Sequence, residues 1–173
     1  MISPTQPIRL VAADDHQVFR EGLVAQINNE PDMTAVAVVG DAEAAVREAI
    51  ATKPDILLMD IEMPGLDTFA AAAGLAEHQP PVRIIFLSAF TYDNYIERAV
   101  QAKAWGFVDK SEPFNTIRDA IREVYGGWIY YSSAIKARIT HTPDGPRIRR
   151  SLWDGVATRG TKLTARELEL LRY

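Results

Sequence analysis

Five short apolar runs recur along the chain, and each is separated from the next by a segment of helical periodicity. The runs are residues 8–13 (Ile-Arg-Leu-Val-Ala-Ala), 34–39, 55–60, 82–87 and 105–109. Few folds accept that alternation. Apolar runs of this length suit strands buried on both faces, and strands alternating with helices suit a parallel sheet. Between them, Phe19, Leu23 and Ile27 fall on one face of a helix over residues 16–29. Ala42, Ala45, Val46, Ala49 and Ile50 do the same over 42–52. Residues 66–78 form an Ala-rich helix, Tyr92, Tyr95, Ile96, Ala99 and Val100 mark a fourth, and Phe114, Ile117, Ile121 and Val124 a fifth. The expected architecture is an α/β doubly wound sheet of five parallel strands. Ser111 is the expected N-cap of the fifth helix, with Pro113 just inside its start.

Charged or polar residues close four of these runs. Asp14 and Asp15 follow the first, Asp60 closes the third, Ser88 follows the fourth and Lys110 the fifth. In an open α/β sheet the carboxyl ends of the strands form the ligand-binding edge, so three carboxylates, a hydroxyl and an ammonium are expected in one crevice. A hard divalent cation such as Mg²⁺ takes oxygen ligands, and it relieves the repulsion among clustered carboxylates. The hydroxyl and ammonium suit a phosphoryl group. Any one of these residues could be an ordinary solvated loop side chain; the combination points to phosphoryl chemistry. His16 could join a metal shell, but Mg²⁺ prefers oxygen, and we read it as a loop residue. His78 and His141 read as surface residues, and Trp105, Trp128 and Trp153 as packing residues.

With 47% hydrophobic residues in 173, the chain can build one full domain and an appendage. It has no cysteine, which excludes disulfides and thiolate metal sites. No apolar stretch reaches bilayer-spanning length. Residues 1–7 lack signal-peptide features, so a cytoplasmic location without membrane partners is expected. Charge is uneven: residues 1–135 carry ten basic against nineteen acidic side chains, a balance of −9, and residues 136–173 carry nine against four, a balance of +5. The basic cluster Arg147, Arg149 and Arg150 could favour nucleic acid, but a short charge run reads first as a solvated linker.

These motifs resemble a response-regulator receiver domain of the two-component systems, of the NarL/FixJ type coupled to a LuxR-like helix-turn-helix. The matching segments are Asp14-Asp15-His16, residues 58–65 (Leu-Met-Asp-Ile-Glu-Met-Pro-Gly), Leu87-Ser88-Ala89 and residues 106–110 (Gly-Phe-Val-Asp-Lys). The resemblance implies a flavodoxin-like sheet of strand order 2-1-3-4-5. It implies that Asp60 accepts a phosphoryl group from a histidine kinase. Asp14, Asp15, Asp60 and the backbone carbonyl of Glu62 would hold Mg²⁺, and Lys110 would offset phosphoryl charge. Ser88 would turn to the new group and Phe107 would move inward behind it, as a switch. Such a protein is a phosphoryl acceptor with slow autodephosphorylation rather than a turnover enzyme. Self-association on phosphorylation is expected near Tyr95, Val100 and Lys103 on the fourth helix and Arg118 and Arg122 on the fifth.

Three positions depart from the family pattern. Thr68 stands where Gly is frequent, which puts the local loop in doubt if it needs φ > 0. The aromatic switch is Phe107 rather than Tyr, and Ser111 follows Lys110 where Pro is frequent. Two other functions compete. A Mg²⁺-dependent phosphohydrolase of the haloacid-dehalogenase type would need an Asp where Glu62 stands. A receiver-like partner-binding module that is never phosphorylated would need the acid set to be idle.

The expected organisation is a receiver over residues 1–127, a short helix within 128–140 and a linker over 141–161. Residues 162–173 resemble the opening of a LuxR-type DNA-binding domain, with Thr164 and Glu167 at capping-box spacing. A helix-turn-helix reads DNA through a second helix. The sequence to Tyr173 holds none, so we expect this chain to carry no DNA-binding residues, either cut inside the first effector helix or naturally short. DNA contact would come only through the further domain.

Overall fold

The computed structural model describes residues 6–78, 81–142 and 145–148. The capping pair Thr164 and Glu167, Trp153, and Arg149 and Arg150 of the basic cluster lie outside them.

Apolar strands buried on both sides dictate the centre of the molecule. Strands β1 (Ile8–Ala13), β2 (Met33–Val39), β3 (Ile56–Asp60), β4 (Arg83–Ser88), β5 (Gly106–Asp109) and β6 (Tyr130–Tyr131) form one sheet in the order β2-β1-β3-β4-β5-β6. Every pairing in it is parallel. The expected five-stranded core and its order are present. The sixth strand is an addition: Gly106 pairs with Tyr130 and Phe107 with Tyr131.

The period of two along each strand splits the core into two layers. Leu57, Met59, Ile84 and Phe86 face one side, where α2 (Ala42–Thr52), α3 (Thr68–Glu77) and α4 (Asp93–Gln101) supply Ala45, Ala72, Leu75, Ile96 and Ala99. Ile56, Leu58, Ile85 and Leu87 face the other, against Leu23 and Ile27 of α1 (Gln17–Asn29) and Ile117, Ile121 and Val124 of α5 (Phe114–Tyr125). Asp41 caps α2 by accepting the Ala44 N–H at 2.7 Å, and Asp67 caps α3 by accepting that of Ala70 at 2.9 Å.

Several local expectations change. Pro113, not Ser111, is the N-cap of α5. Ser111 instead donates its N–H to Asp109 Oδ1 at 2.7 Å, closing the turn after β5. Trp128 is no packing residue, being 71% exposed, whereas Trp105 is half-buried under the Arg83 guanidinium. His78 is half-buried. The short helix appears as α6 (Ser133–Lys136), anchored by buried Ile135. The start of the expected linker is not irregular: β7 (Ile139–Thr142) and β8 (Gly145–Ile148) pair antiparallel.

Candidate functional site

Parallel strands β1, β3, β4 and β5 end side by side, so the residues that close them converge. Asp14 is 1% exposed, Asp60 2% and Ser88 0%, while Asp15 lies outward. Backbone hydrogen bonds fix the rim: Asp14 N–H donates to Val39 O at 3.1 Å, Ile61 N–H to Leu87 O at 3.1 Å and Lys110 N–H to Ser88 O at 2.8 Å.

One cation joins two of the carboxylates. Lys110 Nζ lies 2.6 Å from Asp14 Oδ2 and 2.7 Å from Asp60 Oδ2. These are close charge contacts set off the directions a hydrogen bond requires, and both oxygens are buried without a hydrogen-bond partner. The other carboxylate oxygens are occupied. Asp14 Oδ1 accepts the His16 N–H at 2.8 Å, and Asp60 Oδ1 accepts the Glu62 N–H at 3.2 Å. Burial pushes the Asp60 carboxyl above its ordinary value, helped by Asp14, and Lys110 opposes that rise.

Asp14, Asp15, His16 and Asp60 each offer a ligand atom within 4.8 Å of the others. Buried carboxylate oxygens that lack hydrogen bonds, beside an exposed third carboxylate, fit a hard cation that keeps part of its water shell. His16 lies closer to this group than the sequence suggested, with Nδ1 2.8 Å from Asp15 Oδ1. The Glu62 peptide sits beside Asp60 through its N–H bond to that carboxylate.

Ser88 and Phe107 complete the expected set. The Ser88 hydroxyl donates to Phe90 O at 2.8 Å and accepts the Phe90 N–H at 3.0 Å, so it is turned into its own loop. Phe107 is already fully buried in the core. An inward Phe107 therefore coexists with a Ser88 that faces its own loop.

Thr68 removes the doubt raised by its departure from Gly. It opens α3, is buried, and its hydroxyl donates to Ile61 O at 2.9 Å. The left-handed conformation falls instead on Gly65, at φ 92°. A Cβ there would meet the Glu43 carboxylate at 2.5 Å.

Other contacts around the site come mostly from residues far apart in sequence. Phe19 of α1 places its ring 4.9 Å from Lys110 Nζ, over the ammonium. Arg20 donates to Asp14 O. Tyr95 donates its hydroxyl to Glu62 Oε1 at 2.9 Å, which raises the phenol above its ordinary value. Arg98 binds Asp67 at 2.6 Å and holds its carboxyl below the usual range. The only local hint of these was helical spacing, which placed Phe19 and Tyr95 on buried faces without naming their polar partners.

The α5 arginines expected on a self-association face are engaged within the molecule. Arg122 binds Asp32 through Nε at 2.9 Å and Glu30 through Nη2 at 2.7 Å. Arg118 lies 3.8 Å from Glu30 and 3.2 Å from Asp119.

Comparison with known proteins gives a consistent set of likenesses. The family described as response regulator receiver domain matches residues 10–122. The oxygen regulatory protein NreC of Staphylococcus epidermidis is 29% identical over 168 residues, covering 95% of this chain and 75% of that protein. The signal receiver domain of the response regulator NarL from Mycobacterium tuberculosis superposes with a TM-score of 0.68 at 31% identity, over 71% of this chain and 99% of that one. A LuxR-family two-component response regulator from Aurantimonas superposes at 0.72 with 29% identity, over 76% and 94%.

Proposed function

Because the chain belongs to the response regulator receiver family, we propose that it accepts a phosphoryl group on Asp60 from a histidine kinase and relays that state to a transcriptional output. The observation that carries the reading is the pairing of Asp60 with Lys110 at 2.7 Å, at a strand end where Asp14 shares the same ammonium. A buried carboxylate with one oxygen off any hydrogen bond is a nucleophile held in place. Its attack on the phosphorus of a phosphohistidine forms an acyl phosphate, breaks the P–N bond and releases the imidazole, which recovers its proton from water.

Asp14, Asp15, Asp60 and the carbonyl of Glu62 would hold Mg²⁺, which when bound offsets charge on the transferring oxygens. Lys110, 2.7 Å from Asp60, contributes a second positive charge. The Ser88 hydroxyl, now spent on Phe90, is free to exchange that partner for a phosphoryl oxygen. Phe107 would respond by repacking rather than by entering the core from outside.

Two-component response regulators of the LuxR and NarL type control transcription, and the likenesses above are of that type. The likeness of residues 163–171 to the start of a LuxR-type domain supports an output through DNA. Among the described residues no helix is long and apolar enough to cross a membrane. We propose cytoplasmic action, and phosphorylation-dependent pairing of two chains through the surface at the end of α4, around half-buried Val100 and exposed Lys103 in the turn just after it.

The test uses a small phosphodonor with Mg²⁺ and intact-mass measurement. One phosphoryl group should be added, and Asp60→Asn should abolish the addition. Uptake that survives the substitution overturns the assignment.

A further inference from the structure

The segment that leaves the receiver is tied back to the loop that follows Ser88. Arg138 lies just after α6, at the start of the path toward β7 and β8. Its Nη1 donates to Thr91 O at 2.6 Å, its Nε donates to Asp93 Oδ1 at 2.9 Å, and its Nη2 reaches the same carboxylate oxygen. One guanidinium thus grips both a carbonyl of the β4–α4 loop and the first residue of α4. These partners are 47 and 45 residues away in sequence, so the contact is a tertiary one.

Thr91 and Asp93 are no ordinary neighbours of the site. The Ser88 hydroxyl bonds both the carbonyl and the N–H of Phe90, the residue immediately before Thr91. A hydroxyl drawn to a phosphoryl group on Asp60 must release the bond it donates to the Phe90 carbonyl, and turning the side chain strains the bond it accepts. The Phe90 carbonyl then has to find a new partner, and the Thr91 carbonyl held by Arg138 is the next one along the chain. The same helix is tied on its other flank to the loop after the acceptor, through Tyr95 on Glu62 and Arg98 on Asp67. Helix α4 is therefore held between the acceptor loop and the outgoing chain.

We propose that Arg138 is a latch that binds the outgoing segment to the β4–α4 loop in the unphosphorylated protein, and that phosphorylation of Asp60 opens it. The inference rests on the acceptor reading above. Both side chains of the pair are partly exposed, and such ion pairs contribute little stability. A weak contact suits the role, because a modest rearrangement of the loop is enough to break it. Ile135 stays buried in the core and keeps α6 in place, and Ile139 packs against the same core, so the latch governs the chain beyond Ile139.

Coupling between two sites is reciprocal. If a phosphoryl group opens the latch, removing the latch must favour the phosphoryl-bound form by the same factor. The probe is beryllofluoride with Mg²⁺, a tetrahedral phosphoryl mimic, titrated on the full chain. Arg138→Gln should bind it roughly fivefold more tightly than wild type, within the usual range of such couplings. Asp93→Asn should act in the same direction, and the double variant should gain no more than either single one.

Amide hydrogen exchange over residues 139–148 supplies the second readout. It should be faster in wild type with the mimic than without it, and already fast in Arg138→Gln without it. Thermal melts identify a variant that is merely unfolded, and Arg138→Lys, which keeps the charge but not the fork, should fall between. Unchanged affinity together with wild-type exchange in Arg138→Gln overturns the latch while leaving the acceptor reading intact. Failure of wild type to bind the mimic overturns the acceptor reading, and the latch with it.

Discussion

Lys110 and Asp60 meet across the ends of two strands that are not neighbours in the sheet, Nζ to Oδ2 at 2.7 Å, and the same ammonium reaches Asp14. Two buried carboxylates share one positive charge. That arrangement sets the energetics of the site as well as its chemistry.

Lys110→Ala should leave Asp14 and Asp60 facing each other without a cation. Removing one partner of a buried ion pair costs about 3–5 kcal/mol. Mg²⁺ should return part of that loss, since the proposed metal site uses the same two carboxylates. Urea unfolding with and without Mg²⁺ measures both effects. A loss that Mg²⁺ does not diminish would count against shared ligation.

Asp60→Asn should stabilise the metal-free protein at neutral pH. Burial raises the folded-state pKa of Asp60, so its ionised form costs the folded protein stability. Below the ordinary carboxylate range both folded and unfolded forms are protonated, and the cost is absent. The wild type therefore loses stability relative to the variant as pH rises through the interval above that range. Thermal melts across pH read the difference as roughly 2–4 °C per kcal/mol for a chain of this size. A gap that widens toward acid would refute the sign.

Thr68→Val keeps the shape of the side chain but deletes the donor to Ile61 O. An abandoned buried carbonyl costs about 1–3 kcal/mol. Thr68→Gly, which restores the residue frequent in the family, should be no better, because it loses the same bond and loosens the start of α3. Equal stability of wild type and Thr68→Val in urea would show that the bond is idle.

Arg122→Ala should lower stability by about 1 kcal/mol or less, and less still at high salt, since its pairs with Asp32 and Glu30 are exposed. It should not alter self-association. Lys103→Glu, in the exposed turn just after α4, should change the sedimentation of the beryllofluoride-bound protein. The opposite ranking of the two variants would move the pairing surface to α5.

Much of this was legible because periodicity is a local property. The apolar runs from Ile8 to Val108 gave five strands, and the same runs told where Asp14, Asp60, Ser88 and Lys110 would meet; the order of the strands came from the family resemblance. Strand β6 was not legible: two residues carry no period, and its pairing with Gly106 and Phe107 is made by backbone. Ser111 resembled a cap, but Asp109 takes its N–H for a turn that periodicity does not report. Trp128 has the composition of a core residue and the position of a surface one, since it follows the Gly126-Gly127 break. The grip of Arg138 on Thr91 and Asp93 depends on where two distant segments happen to cross, and neither segment announces the other.

Strand β6 also moves the practical edge of the folded unit. A protein shortened to the expected receiver limit at residue 127 would lose Tyr130 and Tyr131 and strip β5 of its outer neighbour. Bare strand edges recruit other strands, so such a fragment would tend to pair edge to edge in the test tube, and that sticking would be mistaken for signalling.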